Sequence, residues 1–353
     1  MQAEDWLQPR EHGLYCLPAD CYIDPTTPVQ CALITHGHAD HAIGGHKQVI
    51  ATSPTLAIMR TRYGDDMAAQ TQTLDYDQPY QLGFDDDPVT CTFFPAGHIL
   101  GSAQILLEYR GKRVVVSGDY KRQSDPTCQP FSPVPCDVFI TEATFALPVF
   151  KHPPIAEECQ KLLQSLQLFE DRCHLVGVYA LGKCQRIILA LRELGYAKPI
   201  YLHGAQLKLC ELYRNHGLDL GELTDVSAVT HKASLAGEIV LAPPSALNSR
   251  WSRSLPKVRK AMASGWMQIR ARAHQRQVEL PLVVSDHCDW QALLETIAEV
   301  NADEVWVTHG REDALLHQLK LSGIKARALS LVGYDGESDD TSDEEITEGA
   351  GGL

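Results

Sequence analysis

Short apolar runs rich in valine and isoleucine recur along the chain, and several stop at a polar cluster. Cys31 to Thr35 runs into His36, Arg113 to Ser117 leads to Asp119, and Asp137 to Thr141 runs into Glu142. Pro281 to Ser285 leads to His287, and Glu304 to Thr308 runs into His309. Runs of this length and composition predict buried strands. Reactive side chains just past strand ends are how an α/β scaffold gathers distant residues at one rim. The middle of the chain reads differently. Ile155 to Phe169 predicts a helix, Leu175 to Ala180 a strand, and the segment after Gly182 a helix through Ile187, Ile188 and Leu191. Further strands are expected at Ile200 to His203 and Ile239 to Ala242. This alternation predicts a separate α/β unit inserted between two stretches that carry polar strand ends.

The length of 353 residues suits two domains or one domain with a large insert. Hydrophobic residues make up 44% of the chain, enough for packed cores, and no apolar run approaches the roughly 20 residues that span a membrane. Met1 to Arg10 is polar and acidic and lacks a signal-peptide pattern, so the expectation is a soluble cytoplasmic protein. The eleven cysteines are scattered, without a Cys-x-x-Cys pair, which speaks against a disulfide framework or a cysteine zinc site and for reduced thiols.

The net charge of −14 argues at first against a nucleic-acid binder, but its distribution changes the picture. Residues 334–353 hold eight acidic side chains and no basic one, and are expected to form a disordered tail. Residues 250–276 hold eight Lys or Arg and no acid. Arg250, Arg253, Lys257, Arg259, Lys260, Arg270, Arg272 and Arg276 are interleaved there with Trp251 and Trp266. A helix or loop of this composition can neutralise phosphates and offer stacking faces; a solvated face with its tryptophans in the core is the competing reading. Lys183, after Gly182 at a helix start, is a further candidate phosphate contact.

The densest chemistry is His36-Gly37-His38-Ala39-Asp40-His41, four potential ligands within six residues directly after an apolar strand. In a loop, His36 and His38 can face one metal while Asp40 and His41 turn to a second. His98 lies among small residues, Asp119 follows a valine strand, and His309 follows another strand. Each alone reads as a cap or turn residue. Together they supply seven N and O ligands, a set that suits two zinc ions, with manganese the alternative, and does not suit copper(I) or an iron–sulfur cluster.

His-x-His-x-Asp-His with a later His and Asp resembles the metallo-β-lactamase superfamily. Thr141-Glu142-Ala143-Thr144, Ser285-Asp286-His287 and Thr308-His309-Gly310 resemble its β-CASP branch of nucleic-acid nucleases. The segments 17–24, 115–122, 125–128, 241–246 and 263–267 are similar to the bacterial ligase-associated DNA exonuclease family, and the resemblance runs from about residue 17 to 332. It implies an αββα sandwich built from residues 1–148 and 278–333, a β-CASP insert at 149–277, and a tail at 334–353. It further implies that His36, His38 and His98 hold a first metal, that Asp40, His41 and His309 hold a second, and that Asp119 bridges them. Asp24 matches an acidic position that supports ligands through hydrogen bonds. Glu142 and His287 match two β-CASP motifs, with Ala143 where a small hydroxyl residue is common. His287 is then the candidate general acid and Glu142 the group that orients it.

The activity implied is metal-dependent hydrolysis of phosphodiester bonds in DNA, exonucleolytic and in repair, alongside a DNA ligase and a helicase. A histidine at position 309 is absent from the Artemis-like branch and resembles ribonuclease J and the pre-mRNA endonuclease, which keeps an RNA nuclease as the alternative. A small-molecule hydrolase is opposed by the insert, His287 and the basic segment. A scaffold with a decayed site is opposed by the intact ligand set.

Overall fold

The structure is a computed structural model that describes residues 1–83, 86–310, 312–329 and 331. The acidic segment 334–353, expected to be disordered, lies outside the described residues. The chain divides into two units, the first from Met1–Lys151 with His287–Ser342, the second centred on His152–Asp286.

The first unit carries two sheets. Strands β1 (Leu7–Arg10), β2 (Gly13–Cys16), β3 (Cys21–Ile23), β4 (Cys31–Leu33), β5 (His46–Ala51) and β6 (Ala68–Thr73) neighbour one another in chain order. The second sheet contains β7 (Tyr80–Leu82), β8 (Val89–Pro95), β9 (Ala103–Tyr109), β10 (Lys112–Val116) and β11 (Val138–Ala143), extended beyond β11 by Glu304–Gly310 and Lys325–Ala328. Side chains alternate between faces along a strand, and that alternation sorts this unit into layers. Ile105, Leu107, Val114, Val116, Val138, Ile140 and Trp306 point into one core with Leu14, Ile23, Leu33 and Ile50 of the first sheet. Their chain neighbours Leu106, Val115, Phe139, Val305 and Val307 join a second core with Leu293, Ile297, Val300, Leu315 and Leu319. Those partners lie on two helices, Trp290–Val300 and Glu312–Leu321. On the other side, Ala32, Val49 and Ala51 pack with Leu56 and Met59 of α1 (Ser53–Tyr63). The layers are therefore helix, sheet, sheet, helix. Burial on both faces is why these strands read as continuous apolar runs rather than as alternating ones.

The second unit is a six-stranded sheet with every observed pairing parallel. With α2 (Ile155–Leu168), β12 (His174–Gly177), α3 (Lys183–Glu193), β13 (Ile200–Leu202), α4 (Gly204–Asn215), β14 (Leu223–Asp225), β15 (Ile239–Ala242), β16 (Arg259–Ala263), α5 (Arg270–Gln275) and β17 (Leu280–Leu282), its strand order is β14-β13-β15-β12-β16-β17. The helices Trp290–Val300 and Glu312–Leu321 are then α6 and α7, and the strands Glu304–Gly310 and Lys325–Ala328 are β18 and β19.

Three expectations change. The insert does not end at residue 277: β17 pairs with β16 through Ala261↔Leu280 and Ala263↔Leu282, so residues to Asp286 belong to the second unit. The basic segment is neither one helix nor one loop, because β16 and α5 both lie within it. Cys21 and Cys31, on the neighbouring parallel strands β3 and β4, are joined in a disulfide rather than standing as free thiols. None of the described helices is long and apolar enough to cross a membrane.

Candidate metal centre

The six-residue histidine motif follows β4 because the chain must turn there, and two glycines let it turn tightly. A Cβ on Gly37 would sit 2.6 Å from Cγ2 of Ile58 on α1. Gly118, with φ of 54°, faces Thr35 so closely that a Cβ would come within 2.8 Å of its side chain. Arg62, also on α1, donates from Nη1 to the Gly37 carbonyl at 2.6 Å and ties the loop to the helix layer. His98 is held in its own turn by Ser102, whose hydroxyl accepts from the backbone N–H groups of His98 and Ile99 at 3.1 and 3.2 Å.

Four donor atoms converge. His38 Nδ1 lies 3.1 Å from His36 Nε2 and 3.0 Å from His98 Nε2. Asp119 Oδ2 lies 3.4 Å from His36 Nε2 and 3.8 Å from His98 Nε2. A tetrahedron of ligands at zinc bond lengths of 2.0–2.1 Å has edges of about 3.3 Å. The observed separations bracket that value, so the N/O set fits a divalent cation such as zinc. Beside it, His41 Nε2 lies 3.4 Å from the same Asp119 oxygen and 3.7 Å from Asp40 Oδ2. His309 stacks on His41 with ring centroids 5.1 Å apart. Asp119 Oδ2 is thus shared between the two groups of histidines, where a bridging carboxylate would stand.

Asp24 explains why the rings face this way. Its Oδ2 accepts from His41 Nδ1 at 2.8 Å and from the Thr35 hydroxyl at 2.5 Å, while its Oδ1 accepts from the Thr35 N–H at 2.8 Å. The Thr35 hydroxyl spends its proton on Asp24 and so accepts from His36 Nδ1 at 3.0 Å. One carboxylate therefore places a proton on Nδ1 of both His36 and His41, directly and through Thr35, and leaves both Nε2 lone pairs aimed at the cluster. The backbone is strained at both ends of the site, with φ of 44° at Asp24 and 54° at His309.

The electrostatics have the same cause. Burial pushes the Asp119 carboxyl up to about 7 against the pull of His41 and His287. Burial opposes charge on His41, but Asp119, Asp40 and Asp24 outweigh it and raise its pKa to about 10. Burial, with His41 alongside, pushes His309 down to about 3, and burial likewise lowers His36 well below its ordinary value. His36 and His309 are thus neutral, as ligands to a divalent cation must be, and such a cation would displace the second proton of His41 and keep Asp119 ionised.

His287 stands next to this group. Its Nδ1 donates to Glu142 Oε2 at 3.0 Å, and Glu142 Oε1 also accepts the Tyr120 N–H at 2.9 Å. Its ring lies 4.8 Å from that of His98, and its Nδ1 is 3.9 Å from Asp119 Oδ2.

The sequence of this site has recognisable company. Residues 26–166 match the family model for the metallo-beta-lactamase superfamily. Over this stretch, which carries the histidine motif, His98, Asp119 and Glu142, the chain is similar to that superfamily. The fold agrees with that match: a mixed α/β protein with an inserted α/β domain, consistent with a β-CASP insert. A probable DNA ligase of Opitutus terrae is 28% identical over 327 residues, 92% of this chain and 31% of the relative. Cleavage and polyadenylation specificity factor subunit 3 of Dictyostelium discoideum is 29% identical over 249 residues, 60% of this chain and 32% of its own length. Endoribonuclease YSH1 of Gibberella zeae is 29% identical over 222 residues, 52% and 26% respectively. The chain thus spans about a third or less of the length of these curated relatives.

All seven ligand candidates lie in the first unit, with Asp24, Glu142 and His287 around them. Thr35, Ser102 and Tyr120 complete the site and had no sequence signal, since a threonine, serine or tyrosine beside a strand end is common anywhere. The residues proposed from sequence to bind nucleic acid fare unevenly. Lys183 is not a surface phosphate contact: it is 2% exposed, with Nζ 3.1 Å from Asp286 Oδ1 and 4.6 Å from the centre of the Tyr179 ring. Arg259 stacks on Phe169 at 3.9 Å, donates to Ser165 Oγ at 2.9 Å and pairs with Glu279. Lys260 donates to Asn248 Oδ1, Lys257 pairs with Asp171, and Arg272 lies over buried Trp266 at 4.0 Å. Arg250, Arg253 and Arg270 are exposed.

Proposed function

We propose that this protein is a two-metal phosphodiesterase that degrades DNA from an end, in the cytoplasm, in company with DNA ligation and unwinding. The observation that carries the DNA reading is the extent of the match to the probable DNA ligase, 92% of this chain against 52–60% for the RNA-processing relatives. A chain resembling one part of a protein named a ligase has a natural place in cleaning DNA ends before they are joined. An RNA endonuclease is the second reading, favoured by His309 beside His41 and by the names of the other two relatives.

Two divalent cations at this site, held by His36, His38, His98, Asp40, His41, His309 and Asp119, would supply positive charge to the phosphate oxygens and make a water more acidic. The protein's own residues do the rest. Asp24 orients the His36 and His41 rings, directly and through Thr35, so that Nε2 of each faces the site. Glu142 accepts from His287 Nδ1 and stabilises the protonated ring. His287 can then hold a proton at Nε2 and give it to the departing oxygen.

End-labelled single- and double-stranded DNA and RNA, each with zinc or manganese, test the proposal on a sequencing gel. Progressive shortening of DNA from one end is the expected result. Internal cuts in RNA with DNA left intact would replace it with the second reading.

A further inference from the structure

The second unit carries a feature that the metal centre does not use. In its parallel sheet β13 and β15 are neighbours, with Leu202 opposite Leu241 at their carboxyl ends. From β13 the chain leaves through α4 towards β14 at the sheet edge, whereas from β15 it crosses past β12 to reach β16. Connections that depart in opposite directions mark the carboxyl ends of these two strands as the switch point of the sheet, the place where open α/β sheets bind ligands. Two aromatic rings stand there. His203 follows β13, and its ring meets that of Trp251, in the β15 connection, edge to face at 4.7 Å and 84°. Both are half-buried, so part of each remains open to solvent. The His203 Nδ1 accepts the Ala205 N–H at 3.2 Å, which leaves its proton on Nε2, and burial lowers its pKa; the ring is a neutral hydrogen-bond donor. A Cβ on the adjacent Gly204 would meet no atom within 4 Å, so there is room over this corner.

Charge names the occupant. Arg250 and Arg253 flank Trp251, are exposed, and make no hydrogen bond or ion pair with another described residue. One carboxylate lies nearby, Asp225 opposite Leu202, close enough to act on His203 and held by the Ser227 N–H and hydroxyl at 2.7 and 2.6 Å, so the two arginines outnumber it. An aromatic platform with two exposed arginines within two residues of it is what single-stranded nucleic acid takes, because every base has a stacking face and every linkage a phosphate. We propose that Trp251 and His203, with Arg250 and Arg253, form a subsite that holds one unpaired nucleotide of a single strand, its base against the Trp251 indole and its phosphates on the two arginines. The subsite rests on the nuclease reading for its role in feeding substrate, but its binding is separable from the chemistry.

The test uses the full chain and a fluorescein-labelled phosphorothioate dT oligonucleotide, with affinity read by anisotropy. Hydrolysis of bis(p-nitrophenyl) phosphate, too small to span a strand, is read in parallel. Trp251→Ala should weaken oligonucleotide binding about 5- to 150-fold, the range for loss of one stacked base, and Trp251→Phe should retain most of it. Arg250→Ala with Arg253→Ala should weaken binding and reduce the slope of log K against log salt by about 1.4. Hydrolysis of the small diester should be the same in all variants. Unchanged affinity in Trp251→Ala, or an unchanged salt slope in the arginine variant, overturns the subsite. If Trp251→Ala does not fold, the arginine variant and Trp251→Phe still decide. Should no variant or parent hydrolyse any diester while the affinity losses persist, the nuclease reading fails and the subsite stands.

Discussion

The metal centre of the first unit and the basic segment of the second are both dense in charged residues, yet the fold treats them differently. In the first, side chains from β-strand ends far apart in sequence meet within hydrogen-bonding distance, mostly buried and each oriented by another group. In the second, neighbours in sequence are dispersed: Arg259 and Lys260 lie on β16, Arg272 covers Trp266, and Arg250 and Arg253 reach solvent. Polar residues that must be buried together need a reason to be there, since burying unpaired charge is expensive. Cations along a surface need none. A ligand cluster is therefore a strong functional signal and a basic stretch a weak one until the structure shows which of its members are already engaged.

That contrast can be broken most sharply at Asp119. Asp119→Ala removes the oxygen shared by both histidine groups, and hydrolysis should fall by at least about 10³-fold, as for loss of a main electrostatic contributor. Elemental analysis should show fewer than two metals per chain. Two bound metals with full activity would dismiss the bridge. Next comes His287→Ala. A general acid is typically worth about 10²–10⁴-fold, and that loss should appear in kcat with metal content unchanged. A substrate with a 3′-bridging phosphorothiolate should recover much of it. Loss of metal, or an unimproved rate on that substrate, would make His287 a ligand or packing residue instead.

Asp24→Asn should have a smaller effect of the same kind, about 10- to 100-fold in metal affinity, because it disturbs the orientation of His36 and His41 without removing a ligand. Titration with a competing chelator measures it, and unaltered affinity would deny Asp24 that role. The smallest effect on chemistry, and a clear one on stability, is expected at Lys183. Breaking a buried ion pair costs about 3 kcal/mol or more, so Lys183→Met should melt several degrees lower while the salt slope of DNA binding stays that of the parent. A changed salt slope with an unchanged melting temperature would restore Lys183 as a phosphate contact.

Much of this architecture is legible in the sequence. The strands ending at His36, Asp119, Glu142 and His309 were visible because both their faces are buried, which leaves unbroken apolar runs. The histidine motif stood out by density alone. Less visible was what pairing decides. The run at Pro281 reads like the other strand ends, but Leu280–Leu282 hydrogen-bonds to β16 and so belongs to the second unit. The strands β1, β2 and β6 carry few strong runs, and β6 is largely exposed. Thr35 and Ser102 act through single hydroxyls, and a hydroxyl's partner depends on three-dimensional placement. Lys183 looked like a helix-start lysine from sequence because its partner Asp286 lies over a hundred residues away. The disulfide escaped for a similar reason, since the ten-residue spacing of Cys21 and Cys31 says nothing until β3 and β4 pair in parallel.

The pairing of β11 with β18 has a consequence for how the molecule is made. Val138 sits opposite Glu304, so the middle of the second sheet cannot zip until a long stretch of later chain has been synthesised. Closing so large a loop is slow, and chains dominated by distant contacts fold late. Until then β11 is an open strand edge of Val-Phe-Ile-Thr, a template for sticking to other chains on the ribosome. If the intervening α/β unit folds first, it shortens that loop to its two ends. A nascent chain stalled before residue 304 would therefore lack both His309 and the strand that covers this edge, and should be a target for chaperones and proteases rather than a weaker enzyme.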